Sequence, residues 1–327
     1  MLIDAYHHVG LPRFQSAADV IAALDGAGVD KALVCAFETC PDLLEVHRTL
    51  MSAPERILAL GLAIGDERAH IEAAMMAQLA AGFSGFRLSG GDIERTPWVL
   101  DLVGEQGAIA LVCSSEGLHR EAAALLAMLR EFPNALVVGG HFAGPTELSV
   151  FEAPGVAELF AHERFAVIAS RQGLYDDAVL EPWFAELRRR LGAGRLLWGS
   201  EAPVLYWRDE TIADAAKWAA ARIGDPLELA AVLGDAAERL LFSRPRARPG
   251  PLALDFNPMS FTDVKPAAMW PHGLSLPDAI AGRIVHHWLH SSGGGADGST
   301  LRELLTCLLD DALPEPVHSR ERPQGEM

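Results

Sequence analysis

The fold of this chain is restricted most by a regular alternation of apolar runs and amphipathic segments over roughly its first 245 residues. Apolar runs of strand length start near residues 2, 32, 57, 83, 108, 135, 165 and 196. Consecutive runs begin about 24 to 31 residues apart, which is close to the length of one strand–helix unit. Eight such units within about 250 residues predict a (β/α)8 TIM barrel.

The segments between the runs have the i, i+3, i+4 apolar spacing of amphipathic helices. The predicted helices are Ala17–Gly26, Pro41–Ser52, Glu67–Leu79, Thr96–Glu105, Leu118–Glu131, Val156–His162, Glu181–Leu191, Thr211–Arg222 and Pro226–Phe242. Strands that alternate with helices imply a parallel sheet. A doubly wound open sheet is the main alternative, but the Gly-rich loop that would support it does not follow the first strand.

The composition changes after residue 243, which sets the predicted domain boundaries. Residues 1–243 form the predicted barrel, 244–251 a linker rich in Pro and Arg, and 252–327 a small helical C-terminal extension. Within this extension we predict helices over Leu276–His290 and Ser299–Ala312. Their apolar residues suggest packing on the barrel or a homodimer contact.

The net charge and the cysteines limit the partners and the compartment. The formal net charge of −17 argues against nucleic acid and anionic membranes as partners. None of the four cysteines forms a CxxC pair, so reduced thiols in a cytoplasmic protein are expected. No apolar run approaches the roughly 18 residues of a membrane span, and a first strand starting at Leu2 leaves no room for a signal peptide.

Polar side chains lie at the ends of three apolar runs. Tyr6 and His8 end the first predicted strand, His141 ends the sixth, and Glu201 ends the eighth. In a barrel of parallel strands, all carboxyl ends face one mouth, where active sites lie. Side chains alternate along a strand, so we expect Tyr6 and His8 to point into the barrel and His7 to point toward the helices.

Five segments resemble motifs of the amidohydrolase-related proteins. They are IDAYHH at residues 3–8, GFSGFRL at 82–88, PNALVVGGHFAG at 133–144, RLLWGSEAP at 195–203 and VLGDAAERL at 232–240. The resemblance extends over about residues 1–243, in family order and spacing. It implies a TIM barrel with hydrolase, lactonase or decarboxylase chemistry. The lactonase-like branch, which includes members that work without metal, is the most similar in overall pattern.

The resemblance also implies a site for one divalent metal, usually zinc. Family members hold it with two His from strand 1, one His from strand 5 and an Asp from strand 8. In this sequence Tyr6 stands at the first His position, Cys113 or a neighbour at the strand-5 His and Glu201 at the Asp, whereas His8 keeps the second His. His141 matches the strand-6 His, which is often catalytic in the family.

The residues leave two kinds of chemistry open. Zinc at a catalytic site binds three protein groups and one water molecule. Here the protein groups would be His8, Glu201 and a third residue, which is His141, Tyr6 or Cys113. Tyrosine, with a pKa of about 10, is a poor ligand at neutral pH. Without metal, Glu201 would be the general base, His8 and His141 would polarise a carbonyl, and Tyr6 would assist. We favour the metal-free arrangement.

Several further side chains are candidates for binding a small anionic organic substrate. Arg87 ends the fourth strand and Arg171 follows the seventh, and an Arg guanidinium binds carboxylates through paired hydrogen bonds. Ser114, Tyr175 and Trp98 lie on or near predicted strand–helix loops at the same mouth. The alternative for either Arg is an ion pair with a local acid, and the alternative for Glu201 is a buried pair with Arg87 or Arg171.

Two groups in the C-terminal extension have a simpler interpretation. His286, His287 and His290 lie on one predicted helix, but the Glu of a zinc-protease helix is missing, so we interpret them as packing or interface residues. Asp310 and Asp311 are predicted to be surface residues.

Three functional hypotheses follow from these observations. The first is a hydrolase of a small carboxylated cyclic ester, or of a related C–O or C–N bond. The second is a metal-dependent decarboxylase of an aromatic or enol acid. The third is a barrel without catalytic activity that serves as a binding or scaffold protein.

Overall fold

Eight parallel strands form a barrel in a computed structural model that describes residues 1–11, 13–114, 117–208 and 210–261. The strands are β1 Ile3–His8, β2 Lys31–Cys35, β3 Ile57–Leu62, β4 Gly85–Ser89, β5 Ile109–Cys113, β6 Leu136–Gly139, β7 Phe165–Ala169 and β8 Leu196–Trp198. They pair in chain order from β1 to β8. Between β1 and the segment that follows β8, the His8 N–H donates to the Ala202 carbonyl at 2.7 Å. The predicted (β/α)8 barrel is confirmed.

The helices surround the strands in the order that the sequence predicts. They are α1 Ala17–Gly26, α2 Leu43–Ser52, α3 Arg68–Ala80, α4 Gly90–Arg95, α5 Trp98–Glu105, α6 Ala122–Glu131, α7 Val156–Ala161, α8 Asp177–Leu191, α9 Ile212–Arg222 and α10 Pro226–Ala230. The last helix continues as wider π-helical turns to Phe242. None of the described helices is long and apolar enough to cross a membrane.

Local capping explains two differences from the predicted helices. The short helix α4 is absent from the prediction; Ser89 and Asp92 form a capping box at its first turn. Helix α8 starts four residues before the predicted Glu181, because the Asp176 side chain accepts a hydrogen bond from the Ala178 N–H. Pro182 therefore lies inside the helix instead of near its start.

The barrel interior is a packed core closed at the amino-terminal ends of the strands. Aliphatic side chains from alternate strand positions, among them Leu33, Leu58 and Leu111, fill it, and all are buried. Leu241 and Phe242 from the final helical turns belong to the same cluster. The interior is therefore filled by side chains, as in other barrels of this type, and chemistry is left to the open mouth.

An irregularity in β1 places its polar residues on two sides of the sheet. The register with β2 shifts between Asp4 and His7. Tyr6 belongs to the interior cluster, and His8 pairs with the interior residue Cys35. The pairing partners of Asp4 and His7 belong to the outer core instead. This agrees with the expected orientations of Tyr6, His8 and His7.

The segment predicted as a linker is in contact with the barrel. Arg244 Nη2 donates to the carbonyls of Gly107 and Asn134, at 2.6 and 2.5 Å. The Gly250 N–H donates to the Ala81 carbonyl, and the Gly250 carbonyl lies 2.6 Å from His47 Nε2. The chain after residue 243 is thus bound to loops that precede β4, β5 and β6. The predicted helices of the extension, its three His residues and Asp310–Asp311 lie outside the described residues.

Candidate active site

The structure brings the four predicted catalytic side chains together at the barrel mouth. The Tyr6 ring makes edge contacts with the rings of His8 and His141, each at a centroid distance of 4.9 Å. Glu201 Oε1 lies 3.7 Å from His141 Nε2. All four residues are buried. Residues up to 195 positions apart in the sequence therefore form one cluster, because parallel strands end at a common rim.

The backbone that presents this cluster is strained. His141, Arg171 and Glu201 have φ values of 52°, 67° and 61°, in the left-handed region that side chains with a Cβ seldom adopt. The strand ladders end at Gly139 and Trp198, so His141 and Glu201 lie in turns beyond the strands and not at strand ends as predicted. Such strain persists where the surrounding structure enforces it, and it concentrates at functional sites.

Glu201 forms a buried ion pair with Arg171, which is one of the two arginines predicted as its alternative partners. Arg171 donates to Glu201 Oε1 from Nε at 2.7 Å and also from Nη2. Hydrogen bonding to this carboxylate helps raise the pKa of the Arg171 guanidinium, against the opposing effect of burial. The carboxylate that would activate water is therefore held from one side by a cation and faces His141 on another.

Arg87 and Tyr6 form a second buried polar pair. Arg87 Nε donates to the Tyr6 hydroxyl oxygen at 3.0 Å, and Arg87 Nη1 donates to Glu38. Burial raises the pKa of Tyr6 well above its usual 10, although Arg87 opposes the shift. Tyr6 is thus a protonated phenol at neutral pH. Its oxygen accepts from Arg87, and its hydrogen can be donated to Cys113 Sγ, 3.5 Å away, or to a substrate.

His8 is held as a neutral imidazole. Its ring stacks on Phe14 at 4.6 Å, and its Nδ1 lies 3.8 Å from Cys35 Sγ. Burial lowers the pKa of His8 well below 6.5, and the charges of Arg87 and Arg171 lower it further. A neutral imidazole can donate or accept one hydrogen bond at each nitrogen without adding charge to the site.

Arg13 and Glu38 are residues of the site that sequence reasoning missed. The Arg13 guanidinium lies 4.6 Å from the centre of the Phe37 ring, and that of Arg87 lies 4.5 Å from it. Burial lowers the pKa of Arg13, and the nearby charges of Arg87 and Arg171 lower it too. The only sequence signal was position, because both residues lie in loops that follow strands. Charged residues are common in such loops.

The remaining predicted substrate-binding side chains lie at different distances from the cluster. The Tyr175 hydroxyl donates to the His141 carbonyl at 3.4 Å, and burial raises its pKa to about 12. Ser114 Oγ donates to Glu121 at 3.3 Å. Trp98 begins α5, where the Arg68 guanidinium stacks on its ring at 4.7 Å. Tyr175 therefore touches the cluster, whereas the contacts of Ser114 and Trp98 lead to the surrounding helices.

The arrangement does not fit a divalent metal as it stands. Within the described ranges, no three His, Cys, Asp or Glu side chains lie together as a metal-binding group. The Tyr6 ring contacts both imidazoles where the family has a His, and Glu201 Oε1 accepts two hydrogen bonds from Arg171. His8, His141 and Glu201 could bind one metal together only if Tyr6 and Arg171 moved away from them. We therefore derive no step through a metal.

Solved structures of known proteins share this barrel. A probable 2-pyrone-4,6-dicarboxylic acid hydrolase from Acinetobacter baumannii, with citric acid bound, superposes with a TM-score of 0.59 at 16% identity, covering 74% of this chain and 99% of its own. A Pseudomonas putida protein provisionally assigned the same activity gives 0.58 at 21% identity, with 75% and 98% covered. An amidohydrolase from Burkholderia multivorans with bound zinc gives 0.54 at 17% identity, with 75% and 100% covered.

The sequence itself matches one family model and no curated protein. The model, described as Amidohydrolase, matches residues 5–242. This range contains seven strands of the barrel, all but the first two residues of β1, and every residue of the cluster at its mouth. The chain therefore belongs to the amidohydrolase family and is a hydrolase.

Proposed function

We propose that this hydrolase opens a small cyclic ester that carries carboxylate groups. The observation that carries the proposal is the convergence of three guanidinium groups at the mouth. Arg13 and Arg87 lie 4.6 and 4.5 Å from the centre of the Phe37 ring, and Arg171 pairs with Glu201. These cations are gathered on a chain whose formal net charge is −17. The proposed anionic substrate would bind to them.

The chemistry of arginine favours carboxylates as the anionic groups. Its planar guanidinium donates paired hydrogen bonds that match the two oxygens of a carboxylate. Two of the solved structures with this fold are described as a probable and a provisionally assigned hydrolase of 2-pyrone-4,6-dicarboxylic acid, a lactone with two carboxyl groups.

The proposed reaction uses the cluster without further groups. Tyr6 donates its hydroxyl hydrogen to the lactone carbonyl oxygen, where negative charge develops as water attacks. Glu201 accepts a proton from that water, and His141, 3.7 Å away, orients it. A new C–O bond forms, the ring C–O bond breaks, and the leaving oxygen takes up the proton that Glu201 accepted, which restores the carboxylate. Neutral His8 adds a hydrogen bond on the same side as Tyr6.

Hydrolysis of matched substrates tests the proposal. We expect the purified chain to open 2-pyrone-4,6-dicarboxylate, followed by loss of its ultraviolet absorbance, and to leave the uncharged dimethyl ester intact. Replacing Arg171 by Gln should raise KM, because a carboxylate contact is lost, and should also lower kcat, because Glu201 loses two hydrogen bonds. Arg189→Gln, at an exposed ion pair on α8, should leave KM unchanged. Equal hydrolysis of acid and ester, or turnover of neither across a panel of carboxylated lactones, would contradict the proposal.

A further inference from the structure

We propose that Asp4 is a positioning residue that holds Tyr6 and Glu201 in register with each other across the barrel's closing seam, without touching the substrate. The expected effect of Asp4 on activity rests on the proposed roles of Tyr6 and Glu201. Its expected effect on the structure of the seam does not. Asp4 lies on β1, is fully buried, and points toward the outer core rather than into the mouth.

One carboxylate connects the two ends of the barrel sheet. Asp4 Oδ1 accepts from the Tyr6 N–H at 3.2 Å and from the Ser200 N–H at 2.8 Å. Asp4 Oδ2 accepts from Ser200 Oγ at 2.5 Å and lies 3.0 Å from His7 Nδ1. Hydrogen bonds to a charged acceptor are stronger than neutral ones, and all of these are shielded from water. The carboxylate therefore ties β1 to the turn after β8.

The seam has few other connections. Beyond the carboxylate, the Glu201 N–H donates to the Tyr6 carbonyl at 2.8 Å and the His8 N–H to the Ala202 carbonyl at 2.7 Å. Ser200 Oγ, while donating to Asp4, accepts from the Ala202 N–H at 2.9 Å. The register of β1 with β2 also shifts between Asp4 and His7, so a bulge lies next to the seam.

The position of the carboxylate explains how the strained turn is held. Glu201 has a left-handed φ of 61°, and its two neighbours, Ser200 and Ala202, are both connected to Asp4, directly or through Ser200 Oγ. Loss of Asp4 would leave the Ser200 N–H and Oγ without their buried acceptor. The turn would then relax, and the Glu201 carboxylate would shift relative to the Tyr6 hydroxyl.

Hydrogen exchange of the full chain, followed by mass spectrometry, tests the inference without a substrate. In Asp4→Asn we expect the amides of Ser200, Glu201 and His8 to exchange about tenfold faster or more, while amides of β3 to β5 keep their protection. Ser200→Ala is a milder variant. It should speed exchange at Ala202, whose acceptor is removed, and leave the Ser200 amide protected by Asp4.

A matched control separates positioning from general stability. Gln78 is equally buried and links the Leu62 N–H and carbonyl to α3, at 2.9 Å each, far from the seam. Gln78→Met should speed exchange around β3 and leave the seam unchanged. With a lactone substrate, Asp4→Asn should lower kcat about 10- to 100-fold with a smaller change in KM, because Asp4 bonds to the seam and not to the arginines. Gln78→Met should change neither.

The outcomes distinguish the two proposals. Unchanged seam exchange in both Asp4→Asn and Ser200→Ala would overturn the positioning role, whatever the activity. Faster exchange throughout the barrel in Asp4→Asn, together with an unchanged seam in Ser200→Ala, would also overturn it. Local exchange at the seam in a chain that opens no carboxylated lactone would support the role of Asp4 and contradict the proposed function alone.

Discussion

Tyr6 and His8 illustrate how burial defines the chemistry of single side chains in this protein. Desolvation keeps the phenol protonated and the imidazole neutral, so both enter the site without charge. The charges of the site then belong to the guanidinium and carboxylate groups around them. A hydrogen-bond donor that is neutral and already oriented by Arg87 is suited to a developing oxyanion.

Removing the Tyr6 hydroxyl should therefore affect the chemical step. In Tyr6→Phe we expect kcat for a carboxylated lactone to fall about 10²- to 10³-fold, with KM little changed, because the lost bond forms mainly in the transition state. Steady-state kinetics measures this. Tyr175→Phe is the matched control, since its hydroxyl donates to the His141 carbonyl, and it should cost less than about tenfold. Equal losses in both variants would count against the role of Tyr6.

His8 should also make the stability of the chain depend on pH. The folded-state pKa of His8 is lowered below its unfolded value of 6.5, so the unfolded chain binds the extra proton. The free energy of unfolding should thus fall as the pH drops below about 6.5, with His8 contributing up to about 1.4 kcal/mol per pH unit. Urea unfolding between pH 5 and 7.5 would show a smaller slope in His8→Asn.

The control for this prediction is an exposed histidine with the opposite shift. A hydrogen bond to Asp66 raises the folded-state pKa of His70, so its contribution to stability is present at low pH and lost as the pH rises. His70→Asn should therefore not reduce the acid-side slope. If the free energy of unfolding depends on pH as strongly in His8→Asn as in the original chain, His8 binds protons in the folded chain and the prediction is wrong.

Among the structural elements, the segment after the barrel is more closely bound than its composition suggested. The Pro/Arg stretch contacts loops at the amino-terminal ends of β4, β5 and β6, opposite the mouth. In barrels this face contributes to stability, whereas the loops at the other face carry function. The segment is therefore expected to act on stability alone.

Arg244→Met tests that expectation. The substitution leaves the carbonyls of Gly107 and Asn134 without their guanidinium donor, and we expect a loss of about 1–3 kcal/mol in the free energy of unfolding. Kinetic constants should remain unchanged. Arg246→Met, which removes one longer bond of 3.4 Å to the Pro54 carbonyl, should cost less. A loss of activity at full stability would place the segment in the function of the site.

For the molecule as a whole, ligand binding should appear as thermal stabilisation. A ligand that binds only the folded chain adds about 2.7 kcal/mol at 100 times its Kd, which corresponds to roughly 5–10 °C in Tm for a domain of this size. We expect this shift, by scanning fluorimetry, with a non-hydrolysable dicarboxylate and not with its dimethyl ester. Arg171→Gln should reduce the shift, and Arg189→Gln should not. Equal shifts with acid and ester would argue against anion recognition.

The sequence by itself determined the barrel and most of the catalytic candidates. Hydrophobic periodicity reports local structure, and parallel strands bring their ends to one rim, so the repeating pattern was enough to place Tyr6, His8, His141 and Glu201 at a common mouth. The family motifs reinforced the same positions, since they lie on those strands. Both kinds of signal depend on residues close together in the chain.

Only the tertiary structure decided which side chains are partners. Whether Glu201 pairs with Arg87 or Arg171 depends on strand register and on turns with left-handed φ, which periodicity does not report. Arg13 and Glu38 entered the site for the same reason. Asp4 and Ser200 are separated by 196 positions, and their contact exists only because the barrel closes. The register at which the first and last strands meet depends on all eight strands together, so no local pattern of residues predicts which side chains touch there.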